Sequence, residues 1–364
     1  MSPSRSEDHR ISNSSTESVE WARLGGADVV NPAPTTTSTS STSIRIMDWN
    51  FDSLQLDYDT GGNSLVWVTS EIFRFNKDML DVRIVAEFSK IFVKAQTEYN
   101  STALTRNLDR PLYHNYIHGA DVCQATHYLI QKSNLLLRIP SSSNLYSKED
   151  IALYAVVFAS AMHDFDHFGL SNDYLIRHHD PLAIRYNDRS VLENYHAASA
   201  FSLLHGMDPS FSREDYKLFR QIVVDMILST DMHHHYELMS HGVPNPDRDY
   251  LHCLKIALHC ADVSSGARPL DTCLKWTKLI TEEFFLQGDM ERSLSSLTIP
   301  PMMDRSTANV PKIQSSFYDV IVRPLFVYFE ILCPEIGATC IAELDKNRQW
   351  WISEEEPVTG SHNV

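Results

Sequence analysis

"IALYAVVFASAMHDFDHFGL", residues 151–170, joins two halves of opposite character. The first half is apolar on every side of any helix it could form, which places it in a core rather than on a surface. The second half carries His163, Asp164, Asp166 and His167 onto the end of that helix. Buried charge is costly unless it is paired or bound to metal. This helix end therefore needs a partner that its own stretch of sequence does not contain.

Apolar positions recur at helical spacing over 71–100, 119–137, 150–163, 190–205, 213–230, 250–262, 269–287, 312–333 and 335–346. Good strand signals and internal repeats are absent, so the expected class is all-α. "SVLE" at 190–193 and "SRED" at 212–215 match the capping-box pattern, in which Glu193 would reach back to Ser190. Pro311 suits a first helical position, and Pro324 should kink or split its helix. Residues 1–60, with "NPAPTTTSTSSTS" at 31–43, read as a Ser/Thr-rich disordered segment or linker. The expected folded domain is 61–352, followed by a flexible tail at 353–364.

The formal charge of −16 over 364 residues argues against a nucleic-acid polymer as partner, whose phosphates demand Lys and Arg. It allows a small anionic substrate if metal ions supply local positive charge. The six cysteines form no C-x-x-C pair and read as reduced core thiols. No secretory leader pattern and no membrane-length apolar run occur, so a cytoplasmic protein without a membrane span is expected.

Two further segments resemble the 151–170 helix end. "YHNYIHGADV", 113–122, sets His114 and His118 four apart, on one helical face. "LHCADVSSG", 258–266, places His259 and Asp262 at the end of another apolar run. Any one of these is a weak signal, but a bound divalent ion would explain all three together. Imidazole with carboxylate suits zinc, manganese or iron, and carboxylate with water suits magnesium. Asp164 has two oxygens and can bridge two ions. Two ions about 3.5–4 Å apart can share a hydroxide and clamp a phosphate for in-line displacement.

"YHNYIHGADV", "HDFDHFGLSN", "SVLENYH", "STDM", "HCADVSSGARP" and "PKIQSSF" follow one another in an order and spacing that resembles class I cyclic nucleotide phosphodiesterases, over roughly residues 100–335. The resemblance implies a compact multi-helix catalytic domain with a binuclear metal pocket, Zn2+ at the tight site and Mg2+ or Mn2+ at the second. It implies hydrolysis of the 3′ phosphoester of a cyclic nucleotide, cyclic AMP favoured over cyclic GMP, to the 5′-monophosphate, ending a cyclic nucleotide signal. His118, His163, Asp164 and Asp262 match the tight-metal ligands, and His114 the general acid. His167, Glu193 and Thr230 would orient waters on the second metal. Gln314 would hydrogen-bond the purine and Phe317 would stack on it, with Ile280, Phe284, Met232 and Asn172 completing the substrate pocket. An upstream regulatory domain outside this chain is also compatible with the resemblance.

Each role has a plainer rival. Glu193 could simply cap its helix, Phe317 could be core, and Thr230 and Asp231 could be a local helix-end pair. His178, His179, His259 and the run His233, His234 and His235 match no ligand position and read as structural or solvated. Phe168 stands where the family usually has Pro, Tyr174 where it has Phe, and Gly119 where another small residue is usual. Ser265 stands where adenine-selective members often carry Asn. Two other classes remain open from sequence: a different His-Asp metal phosphohydrolase, and a non-catalytic cyclic-nucleotide sensor.

Overall fold

The apolar run at 151–162 is helical and every residue of it is buried, as a stretch without a polar face requires. The structure, a computed structural model, describes residues 46–138, 147–205, 211–294 and 298–355. Its longer helices are α1 (Ser53–Asp59), α2 (Ser64–Phe75), α3 (Val82–Glu98), α4 (Tyr116–Lys132), α5 (Lys148–Met162) and α6 (Val191–His205). They continue as α7 (Arg213–Leu228), α8 (Tyr250–Asp262), α9 (Leu270–Ser293), α10 (Val310–Phe317), α11 (Arg323–Glu330) and α12 (Pro334–Glu355). No strand occurs among the described residues, and no helix there is long and apolar enough to cross a membrane. Helix α5 lies between α4 and α7, and α4 also packs on α2 and α8.

Caps set where these helices start. Ser147 and Asp150 form a reciprocal capping box at α5. The Ser212 hydroxyl accepts from the Asp215 N–H at α7. The box expected at 190–193 does not form. Ser190 sits at φ +43° and donates its hydroxyl to Asp231 (2.7 Å), while Asn172 accepts from the Leu192 N–H instead (2.8 Å). Pro324 stands in the first turn of α11, directly after a π-helical turn at Tyr318–Val322. A proline has no N–H to give the carbonyl four residues back. That carbonyl, on Val320, accepts from the Tyr236 hydroxyl instead (3.0 Å).

Helix α4 crosses α5 closely at Gly119. A Cβ there would lie 2.7 Å from the Tyr99 hydroxyl and 2.9 Å from the Ala161 carbonyl, so the position admits only glycine while Tyr99 donates to Ala161. Phe168 is buried in a small satellite cluster, under the Arg106 guanidinium at 4.2 Å.

The expected boundary at 60 needs correction. Ile46, Trp49 and Phe51 are buried, and Asp52 caps α1 by accepting from the Gln55 N–H. Three buried large apolar side chains in six residues supply burial that the Ser/Thr-rich stretch before them cannot. Residues 1–45 and 356–364 lie outside the described residues, and 353–355 belong to α12 rather than to a tail.

His127, on the buried side of α4, accepts at Nε2 from the Asn76 amide (3.1 Å). Burial pushes its pKa down to about 3, against about 6.5 in an unfolded chain. The unfolded state therefore takes up a proton below pH 6.5 that the folded state refuses, and stability falls as pH drops from 6.5 toward 3. In His127→Gln, thermal unfolding followed between pH 7.5 and 4.5 should show a shallower loss, by up to about 1.4 kcal/mol per pH unit. An unchanged slope would contradict a neutral buried imidazole.

Candidate active site

Three helix ends meet at one point. Helix α4 carries His118 in its first turn, α5 runs out into His163 and Asp164, and α8 ends on Asp262. The four ligand atoms of His118, His163, Asp164 and Asp262 lie within 4.8 Å of one another. His118 Nε2 is 3.1 Å from Asp262 Oδ1 and 3.6 Å from Asp164 Oδ2. These are the residues expected at the tight metal site.

His163 tests whether a cation fits. Its Nδ1 lies 2.9 Å from the Ser160 carbonyl, which can only accept, so Nδ1 carries the hydrogen. The Nε2 of the neutral ring is then a lone pair. It is buried without a hydrogen bond, 3.1 Å from Asp164 Oδ2 and 3.3 Å from Asp262 Oδ1. A lone pair facing two carboxylate oxygens needs positive charge between them. Burial acts to lower the His163 pKa, yet the two carboxylates raise it well above the ordinary value, so a proton and a metal ion would compete for this nitrogen. Nitrogen and oxygen donors in this arrangement suit a borderline divalent ion such as zinc.

The other Asp164 oxygen looks away. Oδ1 faces His196 Nε2 at 3.9 Å, and His196 donates from Nδ1 to the Phe165 carbonyl (2.8 Å). One carboxylate thus presents an oxygen to each of two neighbouring positions, as a bridging ligand would. His167 accepts at Nδ1 from the Gly169 N–H (2.9 Å), which leaves its Nε2 as the protonated, donating nitrogen. A donor suits holding a water better than binding a metal. Asp166 plays no part in the cluster. At φ +65° it reverses the chain after the ligands, and its carboxylate accepts from Ser101, from the Thr102 N–H and hydroxyl, and from Tyr195.

Across the site, His114 Nδ1 lies 2.5 Å from Glu283 Oε1, and the other Glu283 oxygen accepts from the N–H groups of Tyr113 and His114. Burial alone would lower the His114 pKa, but the Glu283 carboxylate overrides it and pushes it up to about 9. Against its own burial, Glu283 is pulled down to about 2 by His114. The pair is an imidazolium clamped to a carboxylate. The imidazole of His114 stacks on His167, with ring centroids 4.2 Å apart.

His114, Asp164, His167, His196, Asp262 and Glu283 line a cavity of about 330 Å³, which His118 and His163 do not line. Its walls include six carboxylates, on Asp164, Asp173, Glu193, Asp231, Asp262 and Glu283. Burial, reinforced by Asp231, raises the Glu193 pKa to about 7. Of the other expected residues, Asn172, Thr230, Met232 and Phe284 also line it. Ile280, Gln314 and Phe317 do not line it, and Phe317 packs against the main core. Asn172 also has a structural task. Its amide donates to both Glu193 oxygens (3.1 and 2.9 Å) while its carbonyl oxygen caps α6. Thr230 returns its hydroxyl to the Ile227 carbonyl (2.8 Å), and Asp231 accepts from Ser190 and from the His233 N–H. His259 pairs with His235, Nε2 to Nδ1 at 2.9 Å, both fully buried, and neither is among the convergent ligand atoms.

Glu283, His196 and Gln287 line the cavity without having been legible as site residues. His196 had a signal, standing three residues after Glu193 on the same helix. Glu283 had none, because its partner His114 is 169 positions away.

A family model described as 3′5′-cyclic nucleotide phosphodiesterase matches residues 113–343. The chain is 34% identical over 336 residues to a protein named probable 3′,5′-cyclic-AMP phosphodiesterase pde-4 from Caenorhabditis elegans, covering 86% of this chain and 47% of that one. It is 39% identical over 260 residues to 3′,5′-cyclic-AMP phosphodiesterase 4C of Rattus norvegicus, 66% of this chain and 47% of the rat protein. The mouse protein of the same name is 38% identical over 260 residues. The chain spans about half the length of the first two of these relatives.

Asp262→Ala should remove an anchor of the convergent set. The expected result is loss of tightly bound zinc, measured by elemental analysis after dialysis, with a lower Tm in the metal-loaded state, since ligand binding to the native state stabilises it. Zinc content and Tm equal to wild type would exclude Asp262 as a ligand.

Proposed function

We propose that this chain, which belongs to the 3′,5′-cyclic nucleotide phosphodiesterase family, hydrolyses the 3′ phosphoester of a cyclic nucleotide, cyclic AMP by preference, to the nucleoside 5′-monophosphate. The observation that carries the proposal is the pairing of an acid-lined cavity with a lone-pair cluster that needs cations. Six carboxylates would repel a phosphodiester, whereas ions held by His118, His163, Asp164 and Asp262 would reverse the local sign. Bound divalent ions, zinc at that set and magnesium or manganese beside Asp164 Oδ1, would supply charge for the phosphate and acidify a water nucleophile.

The chain's own groups do the rest. His167, through its donating Nε2, and Glu193, held by Asn172, orient water on the cavity side of Asp164. His114 protonates the ribose 3′ oxygen as its bond to phosphorus breaks, because an alkoxide is a poor leaving group. Glu283 keeps that proton available by holding the imidazolium form. Phe284 and Met232 give the cavity apolar wall for the nucleoside. Gln314, which does not line that cavity, is assigned to the purine by its match to the family's base-binding glutamine. It is half-buried, and its carboxamide makes no hydrogen bond among the described residues, so it can turn either way for adenine or guanine. The names of the relatives given above support the preference for cyclic AMP.

The wild-type protein should release 5′-AMP from cyclic AMP and lose that activity with EDTA. His114→Asn should keep zinc content while kcat falls by about 10²–10⁴-fold, and a substrate with a 3′-thiolate leaving group should recover most of the loss. Glu283→Gln removes the charge that raises the His114 pKa, so the alkaline fall in rate should move to lower pH. Loss of zinc in His114→Asn, without rescue by the better leaving group, would make His114 a ligand instead of an acid.

A further inference from the structure

The segment just before α1 grips both sides of the metal site. Arg268, fully buried, follows the 3-10 turn Ser264–Ala267 that continues from Asp262. Its guanidinium donates to the Trp49 carbonyl and to Gln124 Oε1 (3.3 Å), lies 3.8 Å from Asp121 Oδ2, and sits 4.1 Å over the Trp49 ring. Its Nε has no hydrogen-bond partner, so this cation is only just satisfied. In return the Trp49 indole N–H donates to the Ala267 carbonyl (2.8 Å). The segment is tied equally to α4. Gln124 donates to the Ile46 and Asp48 carbonyls (both 2.9 Å), and Ser53 donates to Asp121 (2.9 Å). Asp121 lies one turn after His118 on the same helix.

We propose that residues 46–53 are a strap that positions the ligands His118 and Asp262, acting through Arg268. The strap joins the helix that carries one ligand to the turn that follows the other, and those two side chains approach to 3.1 Å. Without the strap, Arg268 loses its backbone acceptor and its aromatic cover. A buried cation left with fewer partners moves toward water or takes its surroundings with it. The turn it belongs to starts immediately after Asp262, so the ligand spacing follows. Asn347 of α12, which donates to the Gly266 and Arg268 carbonyls (both 2.8 Å), holds the far side of the turn and leaves the strap side as the one open to adjustment. Trp49 and Arg268 are positioning residues that touch neither substrate nor metal. The inference rests on His118 and Asp262 being metal ligands.

The test uses the full chain stripped of metal with a chelator. Zinc affinity is measured by competition with a chromogenic chelator, well below the Tm of every variant. Trp49→Ala should bind zinc about 10-fold or more weakly, the range seen when groups supporting metal ligands are removed. Trp49→Phe keeps the aromatic cover but loses the donation to Ala267, and should fall between Trp49→Ala and wild type. Phe88→Leu, in the aromatic cluster of α3 and α5 away from the site, should lower Tm and leave zinc affinity unchanged. Zinc affinity in both Trp49 variants equal to that of Phe88→Leu would overturn the strap. If Trp49→Ala does not fold, Trp49→Phe against Phe88→Leu decides the same question. A wild-type chain that binds no zinc would overturn the metal site itself, a result separate from either.

Discussion

The outward ring nitrogen of His163, held between oxygens of Asp164 and Asp262, is the point on which the rest of the structure depends. Its orientation is not free, because the Ser160 carbonyl takes the hydrogen of the other ring nitrogen. Two carboxylate oxygens 3.1 and 3.3 Å from the outward nitrogen repel its lone pair unless a cation joins them. His163 and Asp164 directly follow α5, Asp262 ends α8, and His118 stands in the first turn of α4, so the set forms only if the ends of α5 and α8 meet the start of α4. Packing of these helices and binding of metal are then two descriptions of one constraint.

That constraint was partly legible in the sequence. The apolar run at 151–162 followed by "HDFDH" says both that the helix is buried and that its end is polar, and α5 has that form. The starts of α7 and α10 were legible for a local reason, since Ser212 and Pro311 act within one turn of themselves. Ser190 shows the limit of such rules. Its pattern matched a capping box, but a distant partner, Asp231, claimed the hydroxyl, and Glu193 went to Asn172. Glu283 was invisible because an acidic residue on a long helix resembles any solvated one until His114 is placed against it. Residues 46–53 were hidden by the Ser/Thr-rich stretch before them. Their burial depends on Gln124 and Arg268, which sequence proximity cannot connect to them.

Charge explains how a chain of formal charge −16 can suit an anionic substrate. The site concentrates carboxylates, and uses each differently. Asp164 and Asp262 face the cation position, Glu283 stabilises a proton on His114, and Asp166 ties the turn to Tyr195 and to the helix start at Thr102. Glu193, raised to about 7 by burial and Asp231, sits between these roles, able to hold or release a proton near neutrality. Identical side chains thus acquire distinct chemistry from their partners alone.

The claim that the His163 lone pair exists to meet a cation is tested most directly by proton-linked calorimetry. Zinc titrated into the metal-free protein at pH 7, in buffers of different ionisation enthalpy, reports the protons released per ion bound. With its pKa raised by the two carboxylates, His163 carries a proton in the metal-free state, so zinc binding should be saturable and should release about one proton. Tight binding with no proton release, or no saturable binding, would contradict a site in which metal and proton compete for the same nitrogen.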